Sequence, residues 1–312
     1  MWNVSYTACS FVMHKKRKIN ERCFLYEKCI KNENENKLYN AKEVIEKYID
    51  SCNKLRDNVS EKRLFKMKKV KEGIEGKIEY ILVEIESGRY GYASSITNKD
   101  TQKVTYEQKE TDAPLMKFEV AIVFPKDIEN RKAFKGFMFF QNYGQYGIKT
   151  ETIRGLKNFL SSDYNATIWV GNISPDIFID TMLKEENLQK ICFVNNKVSI
   201  DSSDNMSFAY GKEQRIIEKI KLAPSFISKL KGYMKGNSRI FEFENKEYDD
   251  VKVELKIGER KRIIGLNNIE RVSIIESLPE DLMKNGEIDR ERYIKIILER
   301  TSEYMEKVIC YG

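Results

Sequence analysis

The residues whose types and spacing best suit chemistry are Asp249, Asp250, Glu254 and Lys256. Glu-x-Lys on a strand puts both side chains on one face, because strands alternate with period two. With an upstream aspartate, such a carboxylate pair holds Mg²⁺ while the lysine steadies the attacking water, which is nuclease chemistry. The spacing argues against it. Asp249 and Asp250 precede Glu254 by only five and four residues, whereas nucleases of this type bring the aspartate from a separate strand. Alternating charges on a solvated strand explain the same residues. Asp176 and Asp180 stand one helical turn apart. They either pair on a metal, or Asp176, following Pro175, caps a helix and favours its dipole.

His14 is the sole histidine, which excludes sites that need two, and any Ser-His-Asp or Cys-His site must use it. Its four cationic neighbours disfavour the imidazolium, which suits a neutral surface histidine as well as a base. The six cysteines, at 9, 23, 29, 52, 192 and 310, include no Cys-x-x-Cys pair, so no zinc ligand set forms and buried free thiols are expected. Neither Gly-x-x-x-x-Gly-Lys-Ser/Thr nor Gly-x-Gly-x-x-Gly, the nucleotide-loop patterns, occurs. The expectation is a protein with no cofactor, no metal and no catalytic residue.

Cation clusters carry the stronger signal. Lys15, Lys16, Arg17 and Lys18 with Arg22 form one, and Lys62, Arg63, Lys66, Lys68, Lys69 and Lys71 a second. Lys229, Lys231, Lys235 and Arg239 form a third. Residues 1–71 hold 18 Lys/Arg against 9 Asp/Glu, while residues 240–312 hold 13 against 17. Lysine and arginine supply most of the sequence-independent affinity for DNA, and an ordinary solvated surface carries the same residues. The segment NYGQYGIK at 142–149 adds Tyr143 and Tyr146 for stacking on bases and Lys149 for a phosphate; its glycines also serve simply to turn a strand into a helix. The candidate nucleic-acid contacts are therefore Lys15, Lys16, Arg17, Lys18, Arg22, Lys62, Arg63, Lys66, Lys68, Lys69, Tyr143, Tyr146 and Lys149. If the second cluster lies on a strand, Lys66 and Lys68 share one face and Lys69 takes the other. The cations are read as unneutralised by neighbouring acids, with duplex DNA bound at weak sequence preference.

The elements that must position these residues read as α+β, with mostly antiparallel mixed sheets, flanking helices and a long C-terminal helix. Strands are expected at 4–13, 62–70, 76–86, 115–125, 136–141, 166–171 and 190–195, with Gly73 and Gly76 marking one turn. A helix over 41–56 places Val44, Ile45, Tyr48, Ile49, Cys52 and Leu55 on one face. Further helices fall at 151–162 and 176–186, and a helical pattern over 212–235 is interrupted by Pro224, which predicts two helices or a kink. A strand meander covers 239–245, 250–257 and 261–276, with Lys252, Glu254 and Lys256 on its wet face. The final helix, about 288–309, has an apolar stripe too wide to leave in water. The division is expected at 208/209, a basic α+β domain of 1–208 followed by 209–312. No apolar run reaches about 18 residues and the start lacks a secretory pattern, so a cytoplasmic location is expected.

Three stretches set a layout: SFVMHKKRKINERCFLYEKC, FMFFQNYGQYGIKTETIRGLKNFL and EIDRERYIKIILERTSEYMEKV. In that layout the chain resembles the Rex A-type phage-exclusion proteins and is similar in plan to the B component of the Kiwa defence system. The resemblance is one of arrangement and carries no functional residue across. It implies an oligomeric DNA-binding defence protein that senses phage replication and works with a membrane-embedded partner. Two other readings stay open: the Mg²⁺-dependent nuclease using Asp250, Glu254 and Lys256, and a module whose acidic C-terminal region binds a partner protein.

Overall fold

The computed structural model describes residues 4–144, 146–173, 188–195, 213–218, 223–234, 240–244, 246–257, 260–266, 274–284, 286–308 and 310–312. The chain forms two compact units, Met1–Ile173 with Ser273–Gly312, and Ser174–Val272. The expected boundary at 208/209 lies outside the described residues, as does the expected helix at 176–186. The C-terminal segment belongs to the first unit because one of its strands pairs with the first strand of the chain and its helix packs on the same sheet.

The first unit opens with β1 (Val4–Lys15), β2 (Lys18–Cys23), the hairpin β3 (Ile30–Asn32) and β4 (Lys37–Tyr39), and α1 (Ala41–Ser51). Then come β5 (Arg56–Asn58), β6 (Arg63–Glu75), β7 (Ile78–Arg89), and the hairpin β8 (Ser94–Thr97) and β9 (Val104–Gln108). β10 (Met116–Pro125), β11 (Lys135–Tyr143), β12 (Tyr146–Gly147), α2 (Lys149–Asp163) and β13 (Ala166–Asn172) follow. The second unit holds β14 (Leu188–Asn195), β15 (Glu213–Glu218), α3 (Pro224–Met234), β16 (Phe241–Phe243), β17 (Lys246–Tyr248), β18 (Asp250–Ile257) and β19 (Arg260–Gly265). The chain returns to the first unit with β20 (Ile274–Ser277), β21 (Met283–Lys284), β22 (Glu287–Ile288) and α4 (Arg290–Lys307).

The fold class is α+β with antiparallel sheets, as expected. The main sheet runs β13-β1-β11-β10-β7-β6-β5. One edge of β1 takes β20 along Ser5–Ala8 and β13 along Cys9–Lys15; the other takes β11 along Val4–Val12. Both faces of β1, β10 and β11 are covered, so these strands are buried nearly throughout, including the polar Ser5, Thr7 and Ser10 of β1. Phe11, Met13, Val83, Ile122, Phe124 and Phe140 join α1 and α2 in one core. On the other face Tyr6 meets Phe139, and Phe139 stacks on Tyr304 of α4 at 6.0 Å. Ile297, Leu298 and Tyr293 of α4 are buried with it.

Local signals explain the elements. Asn40 and Glu43 form a reciprocal capping box at the start of α1, whose Val44, Ile45, Tyr48 and Ile49 are buried. Leu55, expected on the same face, lies beyond the helix and is exposed. Asn40→Ala is expected to lower stability by about 1 kcal/mol, measured by urea unfolding; an unchanged midpoint would remove the cap from this account. Gly76, at φ +58°, makes the β6–β7 turn. Gly73 instead sits within β6 under the Tyr80 ring, where an added Cβ would lie 2.7 Å from the hydroxyl. The 87–114 stretch contains the β8–β9 hairpin.

In the second unit β15-β14-β18-β19 form an antiparallel sheet. The ring of Phe193 stacks on Phe243 at 4.7 Å and on Phe241 at 5.7 Å. The helical pattern expected over 212–235 is corrected here. Residues 213–218 form a strand against β14, and Pro224 opens α3 instead of kinking a helix, since the first helical turn does not use its missing N–H. Among the described residues, no helix is long and apolar enough to cross a membrane. All six cysteines are free, and Cys9, Cys23, Cys52 and Cys310 are buried.

Candidate nucleic-acid interface

Antiparallel pairing brings three strand ends to one place. Met116 at the start of β10 faces Ser87 near the end of β7, which faces Phe65 near the start of β6. Arg63 and Arg89 are direct cross-strand partners. The β11–β12 hairpin turns at Gly144, φ +59°, and returns Tyr146 against Tyr143 at the same end of the sheet. These elements enclose a groove of about 580 Å³ lined by Arg63, Arg89, Tyr92, Met116, Phe118, Tyr146 and neighbouring backbone.

Tyr92 and Tyr146 are 46% and 47% exposed, so both rings present area to solvent. Gly91, at φ +97°, sets the chain before Tyr92, and the Lys62 side chain lies over it; a Cβ there would meet Lys62 Cδ at 2.6 Å. Tyr90 ties this turn to β5 by donating to Asp57 Oδ1 at 2.8 Å. Arg63 pairs with Glu151 in the first turn of α2, while its Nε is buried and meets no acceptor. Arg89 is exposed and makes no ion pair among the described residues. Like charges directly opposite on paired strands cost stability, so an Arg–Arg pair at a groove mouth favours an anion between or beside them. The positive field reaches Glu61, whose carboxyl is held below its usual range chiefly by the Arg154 hydrogen bond, with Arg63 and Arg89 adding to it.

No family model, curated protein or solved structure matches this chain.

The structure brings Lys62, Arg63 and Tyr146 together and distributes the other candidates elsewhere. Tyr143 is half-buried, its ring on Phe118 at 5.6 Å and its hydroxyl accepting from Gln141. Lys149 turns to Asn172 Oδ1 at 3.3 Å. Lys15 and Lys18 share Glu21 at 3.1 and 2.6 Å, and Lys16 donates to the Ser161 carbonyl. Arg17 occupies the β1–β2 turn at φ +62°, and Arg22 lies 4.6 Å over Phe134. Lys66 pairs with Glu86, Lys69 with Glu72 and Glu46, and Lys71 with Glu291. The expectation that these clusters are unneutralised is therefore corrected for Lys15, Lys18, Lys66, Lys69 and Lys71: acids nearby in sequence (Glu21, Glu72) and acids from β7, α1 and α4 (Glu86, Glu46, Glu291) lie beside them. The alternation holds, since Lys66 and Lys68 face Glu86 and Glu84 while Lys69 turns to α1.

Arg89 and Tyr92 escaped the sequence reading. Their signal was the segment GRYGY at 88–92, which interleaves glycine, tyrosine and a cation as NYGQYG does. His14, expected at the surface, is buried in β1. In β18 Glu254 is nearly buried and pairs with Lys190 of β14 at 3.2 Å, and Asp250 lies 4.0 Å from Lys252. Glu254 thus shares the face of Lys252, as expected from the alternation, but is buried there instead of solvated. Among the described residues no three His, Cys, Asp or Glu side chains converge on a metal position.

Proposed function

We propose that this chain binds nucleic acid in the groove, with unpaired bases stacked on Tyr92 and Tyr146 and phosphates held by Lys62, Arg63 and Arg89. The observation that carries the reading is the direct cross-strand Arg63–Arg89 pair beside two half-exposed tyrosine rings. Stacking tolerates any base because every base has a π-face, so the binding is weakly sequence-selective. The duplex surface offered by the lysine clusters is weakened by their acids, although exposed ion pairs are worth little and exchange readily for phosphate. The layout resemblance gives the setting, defence against phage, tested by plating efficiency with and without Arg89→Glu.

The experiment is fluorescence anisotropy with a labelled single strand and a duplex of equal length across a salt series. The single strand is expected to bind more tightly, with log K falling against log salt at a slope of roughly −2, from three contacts at about −0.7 each. Tyr92→Ala and Tyr146→Ala are each expected to cost about 1–3 kcal/mol of binding, and Arg89→Glu to flatten the slope. A tighter duplex with a slope of roughly −5 to −7, lost on replacing Lys66, Lys68 and Lys69 together by glutamate, overturns the groove and favours the lysine surface. No binding at low salt removes both and leaves a protein partner in front.

A further inference from the structure

On the sheet face beneath α4, the apolar layer gives way at one end to polar side chains. Glu84 and Glu119 are direct cross-strand partners on β7 and β10. Arg290, the first residue of α4, reaches both: its Nε donates to Glu119 Oε1 at 2.8 Å and its terminal nitrogen pairs with Glu84. Next to them Gln141 is fully buried. Its Oε1 accepts from the Glu119 backbone N–H at 2.7 Å, and its Nε2 donates to the Tyr143 hydroxyl at 3.0 Å. These groups line a cavity of about 220 Å³, with Lys117 and Glu287 paired at 3.5 Å on its rim.

Glu119 is 5% exposed, and its Oε2 meets no donor. An orphan acceptor at such depth costs about 1–3 kcal/mol, and it belongs to a group that lines the cavity. Three carboxylates against two cations leave the lining with one negative charge. We infer that the cavity binds the primary ammonium group of a small aliphatic amine. An ammonium offers three donors and no acceptor, which suits Glu119 Oε2, the second Glu84 oxygen and the Tyr143 hydroxyl oxygen. A second guanidinium would find no carboxylate with both oxygens open for the bidentate pairing it favours, because Arg290 already holds one oxygen of Glu84 and one of Glu119. A hard divalent cation needs six or more oxygens, and Arg290 stands where it would sit. The volume is below the ~300–1,000 Å³ of drug-sized pockets, so the amine is short.

The test is thermal unfolding of the full chain in rising butylamine or putrescine, at constant ionic strength, with tetramethylammonium as a cation that has no N–H. Both amines are expected to raise the melting temperature by roughly 3–6 °C for each tenfold excess over Kd. Tetramethylammonium is expected to act as sodium does. Tyr143→Phe keeps the ring on Phe118 and is expected to weaken the amine at least about fivefold. Glu119→Gln is expected to abolish the saturable response; if that variant fails to fold, Tyr143→Phe decides. Equal responses to tetramethylammonium, a response surviving Tyr143→Phe, or none up to amine concentrations on the order of 10 mM overturns the inference and leaves a cavity that holds water only. Nucleic-acid binding in the groove is a separate readout, so either reading can fail alone.

Discussion

Replacing Arg290 by alanine is expected to lower stability by about 2–4 kcal/mol, measured by urea unfolding near neutral pH. Breaking a buried ion pair from one side costs about 3–5 kcal/mol because a charge stays buried without its partner. Arg290 is 39% exposed, so solvent screening reduces that figure. What remains is Glu119, with Glu84 directly opposite and no cation between them. The deficit has a defined pH dependence. Burial pushes the Glu119 carboxyl above its usual range, and Arg290 opposes that rise. A carboxyl raised in the folded state favours folding while protonated, and this contribution is lost as pH climbs from the unfolded value, about 4.3, through the folded one. Without Arg290 the folded value moves higher still. The variant's deficit is therefore smallest in mild acid and grows as pH rises. A deficit constant across that range would mean that Arg290 acts through packing alone.

Ile297→Asp is expected to cost more than about 4 kcal/mol and to unfold the first unit near room temperature. Ile297 is 1% exposed in the middle of α4, on the sheet face where Phe137 and Phe139 meet Tyr304. Truncating such a side chain already costs about 2–5 kcal/mol, and the new carboxylate has no cation designed to receive it. Ile297→Val, at about 0.5–1.5 kcal/mol, controls for general sensitivity. The measurement is circular dichroism through a urea titration. A variant that melts with the parent protein would show that α4 does not cover the sheet.

What the sequence by itself determined was local. The alternation in β1 and β10 and the apolar run of β11 dictated strands, the Asn40–Glu43 spacing dictated a capped helix, and the stripe of Tyr293, Ile294, Ile297 and Leu298 dictated a helix with one buried face. Period and capping act within a few residues, so they are legible in one dimension. Local pattern failed where two outcomes share it. Residues 213–218 have enough apolar spacing for a helix but pair as a strand, because β14 offers an edge. Pro224 fits either a break or a first turn, and only the neighbouring chain decides.

The candidate sites were decided by tertiary structure. Antiparallel register sets Arg63 against Arg89, and the turns after β7 and β11 bring Tyr92 and Tyr146, about fifty residues apart in sequence, to one groove. Tertiary contacts also neutralise what looked free: register sets Lys66 beside Glu86 across a strand pair, and α4 brings Glu291 to Lys71. The polar cavity needed more again, since Glu84, Glu119 and Arg290 carry no shared motif and meet only because α4 lies down on its sheet. Charge acts through space and follows distance, whereas composition counts along the chain. Sequence therefore named which side chains were cations, and the packing of strands and helix determined which of them still face solvent with no acid beside them.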